Sequence, residues 1–280
     1  MTNLNTVIDA ANRLPDAMKA NAMALIKDMT TERMGIGDRV IRWRPSLLRI
    51  VQGTTDTSAI DGDVKLGDIV FGNIPAGKKP RIMTLRSWDS RQMWDPDQNN
   101  ARVVCSSPDG KTGWRFGDCR KCENSKFQDD KPALCRQQKT FLAVTEDLSE
   151  IIQIDLSRTQ LKIGAEWEKK LSKMAVMPFQ RVFELDVKRN EKNKNIFNLE
   201  PVRTDDYTTA EVTEFLNTLF DFFVERRKEE LKSFYDNLEA YKARKAESHH
   251  EEESSSAGTS EPAPQYAEPA SGEDLPDYKL

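Results

Sequence analysis

The sequence predicts an α+β protein: a small antiparallel β-barrel with a cysteine-bearing insertion, a long C-terminal helix and an acidic, disordered tail. Three observations predict it. Short apolar runs of strand length recur between residues 40 and 202, punctuated by Gly, Pro, Asp and Asn. All four cysteines fall in one stretch, Cys105 to Cys135. The charge is polarised: the 280-residue chain carries −4, but residues 246–280 hold nine acids against Lys279 alone, a net of −8 that leaves the rest near +4.

Residues 1–34 read as a helical segment, in which LNTVIDAANRLPDAMKANAMALIKDMT carries Leu14, Met18, Met23, Leu25 and Ile26, and Pro15 marks a helix start. Residues 35–207 read as the core. Its strands are VIRW, LLRIV, DIVFGNI and RIMTLRSW, then, past the insertion at 105–135, KTFLAVT and EIIQIDLS. In the last of these Ile152, Ile154 and Leu156 share a face at period two. Ser157 is placed to cap a helix over 158–174, with Leu161, Trp167, Leu171 and Met174 facing inward. FQRVFELDV and NIFNLEPV then form a hairpin about an Asn-Lys-Asn turn. Thr208-Thr209-Ala210-Glu211 is a capping box that opens a helix over 208–247. Its stripe of Val212, Phe215, Leu216, Leu219, Phe220 and Phe223 packs on the barrel or on another chain. Residues 248–280 hold too little apolar surface to offset chain entropy and are expected to be disordered. Within them Asp274, Leu275, Pro276, Asp277, Tyr278 and Leu280 have the look of a short docking motif.

The insertion poses the chemical question. Gly110-Lys111-Thr112 matches the end of a nucleotide-binding P-loop, but Cys105 stands where its first glycine belongs. Pro108 removes an N–H donor, and Gly113-Trp114 follows where a helix should begin, so this reading fails. The cysteines are spaced Cys-x13-Cys-x2-Cys-x12-Cys: Cys105, Cys119, Cys122 and Cys135. A Cys-x2-Cys turn lets two thiolates reach one ion and two outlying cysteines complete a tetrahedron, so the reading is one structural Zn²⁺. An iron–sulfur cluster uses the same donors and stays open. The opening residues MTNLNTVIDAANRLPD have neither a charged n-region nor an apolar h-region, and no run of 18 apolar residues occurs. A cytoplasmic protein (of a host cell, if phage-encoded) without disulfides or membrane contact is therefore expected. His249 and His250, the two histidines, sit in the polar tail.

The body's cations point to a polyanion. Residues 78–140 hold fourteen Lys or Arg against eight Asp or Glu. The strand count suits an OB-fold, a Greek-key barrel that combines a positive groove with aromatic platforms for unpaired bases. The candidate contacts are Arg42, Arg44, Arg86, Trp88, Arg91, Trp94, Lys111, Trp114, Arg115, Arg120 and Lys121, with Trp43 and Trp167 assigned to the core. In RIMTLRSW, period two puts Arg86 and Trp88 on one face with Thr84 and Ile82.

The layout of residues 35–280, with the cysteine run CSSPDGKTGWRFGDCRKCENSKFQDDKPALC and the acidic tail, resembles that of phage single-stranded DNA-binding proteins. The resemblance implies a protein without enzymatic activity that coats single-stranded DNA during replication and recombination. It also implies a barrel with a zinc subdomain, and a tail that competes with DNA and recruits replication or recombination proteins. Self-association along the strand is compatible with it. Two rivals stand beside it. Asp186 and Lys188 with Asp155 match part of a PD-(D/E)xK metal-dependent nuclease site, in which carboxylates hold Mg²⁺ and a lysine stabilises developing charge. A zinc-containing transcription or replication accessory, binding proteins only, is the other.

Overall fold

The computed structural model describes residues 4–30, 33–34, 40–41, 43–95, 103–127, 132–191 and 193–255. It is mixed α+β, built on a curled half-barrel sheet. The chain divides into two units, Met1–Arg227 and Lys228–Leu280.

In the first unit α1 (Leu4–Ala11) and α2 (Asp16–Thr30) are parted at Pro15, whose carbonyl accepts the N–H groups of Met18 and Lys19 at 2.9 Å each. β1 (Arg33–Met34) and β2 (Val40–Ile41) pair as a short ribbon. Then come β3 (Ser46–Ile50), β4 (Ile69–Phe71), β5 (Ile74–Pro75) and the long β6 (Arg81–Trp94). The insertion contributes β7 (Val103–Ser107), β8 (Thr112–Gly113) and β9 (Gly117–Asp118). β10 (Cys135–Thr145), β11 (Ile151–Ser157), α3 (Leu161–Ser172), β12 (Arg181–Arg189), β13 (Phe197–Tyr207) and α4 (Ala210–Ser255) follow.

The main sheet runs β13-β12-β6-β10-β11-β3-β4-β5, with β7 also on β6. Every pairing is antiparallel except β11 with β3. Past β3 the curl is closed by an amide instead of a strand: Gln52 Nε2 donates to Phe197 O (2.9 Å), and Phe197 N–H donates to Gln52 Oε1 (2.7 Å).

Period two sorts the sheet's side chains onto two faces. Ile82, Phe141, Ala143, Ile152, Ile154, Leu156, Phe183 and Leu185 line the concave side. There Trp167 of α3 stacks on Phe141 at 4.2 Å and plugs the curl, with Leu171 beside it. Met83, Leu85, Leu142, Val144, Ile151 and Val182 line the opposite face, clustered with Val7, Ile26, Phe215 and Leu219 of the helices. Gly164 brings α3 close: an added Cβ would meet Lys139 Cβ at 3.0 Å. Lys139 is buried and ion-paired with Asp89 and Glu168, at 2.7 Å each, which ties β10 to β6 and to α3. Burial disfavours its charge, but the two carboxylates outweigh that and raise its pKa.

Three expectations are corrected here. Ser157 makes no capping bond; a 3₁₀ turn, Arg158–Gln160, intervenes and α3 begins only at Leu161. The α4 cap is Thr209, whose Oγ1 accepts the Val212 N–H at 3.4 Å. The register of β6 against β10 slips between Leu142 and Ala143, a bulge that parts Arg86 and Trp88 from Ile82 and Thr84. Period-two reading assumes an unbroken pleat, and one extra residue reverses it. In the second unit the helix runs on to Ser255, past position 247, with Lys232–Asp236 and Glu239–Lys242 pairs along its surface. No helix among the described residues is long and apolar enough to cross a membrane.

Candidate metal centre and nucleic-acid interface

The insertion grows out of the β6–β10 ribbon, which extends further than apolar runs suggest. Met93 of β6 pairs with Cys105 of β7 on one side and Cys135 of β10 on the other, so both cysteines share its face. The β8–β9 hairpin then delivers Cys119 and Cys122. Cys119 N–H donates to Lys111 O at 2.8 Å, and Cys122 N–H to Asp118 O at 3.1 Å. The Ser125 hydroxyl lies 2.8 Å from Cys119 O and 2.7 Å from Cys122 O, which fixes the turn between them. Asp109 Oδ1 accepts the N–H groups of Lys111 (2.8 Å) and Thr112 (3.1 Å) and holds the preceding turn.

None of the four cysteines is in a disulfide, and Cys105, Cys119 and Cys135 are buried. Burial pushes the Cys135 thiol up to about 11, and the other three thiols add to the rise while Arg91 opposes it. Cys119 is raised by burial too, against the Ser107 hydroxyl and Arg91. Gly113 lies in the cradle: a Cβ there would stand 2.9 Å from Cys105 Sγ and 3.6 Å from Cys119 Sγ. Among the described residues no three His, Cys, Asp or Glu side chains already converge as an ion's ligands would. The four thiols have the chemistry of a tetrathiolate donor set, but their sulfurs are not placed as the ligands of one ion. Gly113→Ala is expected to lower metal affinity about 10–100-fold, as misplacing a ligand's support does. Gly117→Ala, at φ +71° with open space around the added Cβ, strains the backbone and spares the sulfurs. Metal titration of both variants separates the two effects; equal affinities would remove Gly113 from the cradle.

The predicted nucleic-acid contacts do not share one face. Arg86 and Trp88 lie on the helix-covered face of β6, where the Arg227 guanidinium sits 4.9 Å from the Trp88 ring centre. Arg91 lies on the opposite face with the thiols, placed to offset thiolate charge. Trp114 is buried at 8 % exposure, which corrects the expectation of an open stacking platform; its backbone N–H donates to Ser106 O at 3.0 Å. Trp94, half-buried, ends β6, and Arg44 is exposed ahead of β3. Lys111, Arg115, Arg120 and Lys121 are exposed on the insertion; Arg120 pairs with Asp118 at 3.5 Å. Trp43 is half-buried, with Arg226 over its ring, and Trp167 is core as expected. Arg42 and the docking residues Asp274, Leu275, Pro276, Asp277, Tyr278 and Leu280 lie outside the described residues.

The nuclease constellation does not assemble. β11, with Asp155, is separated from β12, with Asp186 and Lys188, by β10 and β6. Asp155 instead accepts from Thr140 Oγ1 (2.6 Å) and Gln153 Nε2 (2.9 Å), and its burial raises its pKa. Asp186 pairs with Lys79 at 3.2 Å, and Lys188 with Glu200.

Two residues outside the predicted contacts bear on the site. Phe127 and Phe116 are exposed by 75 % and 42 %, and Arg115 lies 5.6 Å from the Phe116 ring centre. Their signal was present in sequence, since both are aromatics among Lys, Arg and Gly, but tryptophan drew the choice. Comparison with protein-family models, with curated proteins and with solved structures finds no match for this chain.

Proposed function

We propose that this protein binds single-stranded nucleic acid stoichiometrically, on an oligonucleotide-binding barrel whose first loop is a zinc knuckle. The connectivity supports this reading most directly. β6, β10 and β11 form an antiparallel meander, α3 follows, and the β12–β13 hairpin returns to set β12 beside β6. This order is compatible with the plan of a five-stranded Greek-key barrel of the oligonucleotide-binding type, with β3 beside β11 and joined to β13 through Gln52. In such barrels the ligand meets the second and third strands and the loops between strands one and two and between four and five. Here those loops are the cysteine insertion and the hairpin turn at 190–196.

The insertion carries the right surface. Lys111, Arg115 and Lys121 are exposed, with no ion pair among the described residues, and Phe116 and Phe127 offer open rings. Base–aromatic stacking contributes about 1–3 kcal/mol per base and tolerates any sequence. Cys105, Cys119, Cys122 and Cys135 would hold the Zn²⁺, which supplies cross-linking and no open coordination position. Arg91 beside them balances thiolate charge. The −8 tail is an intramolecular competitor for the same cations, and its apolar hooks recruit replication or recombination partners.

The test is anisotropy titration of labelled oligo-dT and of duplex of equal length across salt. Single-strand binding at least ten times tighter is expected, with log K falling linearly in log salt at about −0.7 per phosphate neutralised. Equal affinities would reject the barrel reading. Binding to neither would leave the zinc segment as a protein-docking module.

A further inference from the structure

We infer that Asp155, on the face of β11 opposite the concave core, selects bases that carry an exocyclic amino group, so that a bound strand is read as well as coated. The inference rests on the single-strand reading above and names a base preference within it. Ile154 and Leu156 point into the concave cluster, so alternation turns Asp155 and Gln153 to the outer face. That face changes from apolar to polar at one level. β11 passes from Ile151, packed under the helices, to Gln153 and Asp155; the paired β10 passes from Leu142, also under the helices, to Thr140. The polar level is open to solvent: Gln153 and Asp155 are half-buried, and Leu47 of β3, which pairs with Gln153, is 42 % exposed. β10 and β11 are the second and third strands of the oligonucleotide-binding plan, the pair whose face meets the ligand.

The carboxylate of Asp155 is fixed in place and incompletely used. Oδ1 accepts from Thr140 Oγ1 at 2.6 Å and Oδ2 from Gln153 Nε2 at 2.9 Å, two neutral donors that set its plane. An ionised carboxylate has room for about four hydrogen bonds, so each oxygen keeps a lone pair for a further donor. No cation pairs with it among the described residues, although Glu146 meets Arg81 and both Asp89 and Glu168 meet Lys139 in the same sheet. Burial disfavours the charge of such a group, and a ligand that brings donors offsets that cost. Along a DNA strand those donors lie on the bases. Phosphodiester and deoxyribose oxygens only accept, and the phosphate is repelled, whereas cytosine N4, adenine N6 and guanine N2 donate. Thymine sets carbonyl oxygens on both sides of its single N–H, so its edge opposes a carboxylate. Cytosine, of the same ring size, presents the amino group that aspartate accepts.

The experiment titrates labelled oligo-dC and oligo-dT of equal length against wild type, Asp155→Asn and Asp155→Ala, over salt, with a thermal melt of each protein. Wild type is expected to bind oligo-dC about 10-fold more tightly than oligo-dT, the scale of one base-edge contact. Asp155→Asn keeps an oxygen for Thr140 and gains an amide N–H that thymine O4 can accept, so the ratio is expected to fall to within about 2-fold. Asp155→Ala is expected to lose the preference as well. The salt slope is expected to stay at the wild-type value in both variants, because no phosphate contact is removed. A merely structural role would weaken both oligonucleotides together and leave their ratio standing. A wild-type ratio near one would overturn the base preference, with no variant needed, and leave the single-strand reading intact. A preference for oligo-dC that survives in both variants would overturn Asp155 as its source. Wild type that binds neither oligonucleotide would overturn both readings.

Discussion

Cys119→Ser is expected to abolish stoichiometric metal binding and to open the insertion while the half-barrel sheet stays folded. The separation follows from where the apolar surface lies. Neither large hydrophobic cluster contains a buried residue between Leu85 and Phe141, so the core holds itself together without the knuckle. The insertion has no such reserve. Its strands β8 and β9 are two residues each, and its order rests on turn hydrogen bonds, Trp114 and the thiol cluster. A thousandfold loss of metal affinity at saturating metal removes about 4 kcal/mol from whatever folds with the metal. Amide exchange within residues 103–127 is then expected to rise by up to about 10³, while protection in β10, β11 and β12 stays close to wild type. Serine is the right replacement because its size is near that of cysteine and its hydroxyl remains protonated. Full metal occupancy in Cys119→Ser would refute the ligand assignment, and a global collapse would refute the independence of the core.

The sequence declared most of this architecture, and its failures have identifiable causes. Alternation marked the concave row of Ile152, Ile154 and Leu156, and Phe183 with Leu185, because one face of each strand meets a continuous core. Pro15 declared a helix boundary through backbone chemistry that acts within a few residues, and the Thr208–Glu211 box placed the start of α4 with its cap one residue early. The four-cysteine spacing singled out the insertion, and strand pairing sets two of the four, Cys105 and Cys135, on either side of Met93. What escaped was long-range or depended on a local exception. β6 continues to Trp94 because β7 and β10 flank its polar end, and pairing partners leave no periodic trace in the strand they extend. The bulge at Leu142/Ala143 put Ile82 and Arg86 on opposite faces of the sheet. Trp114 read as exposed because its neighbours are Gly, Lys and Arg, yet a hairpin turn directs its ring inward.

Reversing three charges, in Lys111→Glu, Arg115→Glu and Lys121→Glu combined, is expected to weaken oligo-dT binding by at least about 100-fold at 0.1 M salt. At that concentration each lost phosphate contact removes about 0.7 in log K, so three remove about 2 before repulsion by the new carboxylates is counted. The salt slope is expected to drop by about 2 in parallel, which distinguishes lost phosphate contacts from general damage. Damage is a weak rival for these positions. All three side chains are exposed, none has an ion pair among the described residues, and none contributes to either large hydrophobic cluster. The backbone groups that do matter there, Lys111 N–H to Asp109 and Lys111 O to Cys119 N–H, survive any side chain. Metal content and melting temperature are therefore expected to stay at wild-type values. Because Glu at these sites repels phosphate at any salt short of full screening, the deficit should narrow as ionic strength rises and the Debye length shrinks to about 3 Å near 1 M. An affinity unchanged by the triple reversal would place the nucleic acid elsewhere on the half-barrel sheet, or off this protein altogether.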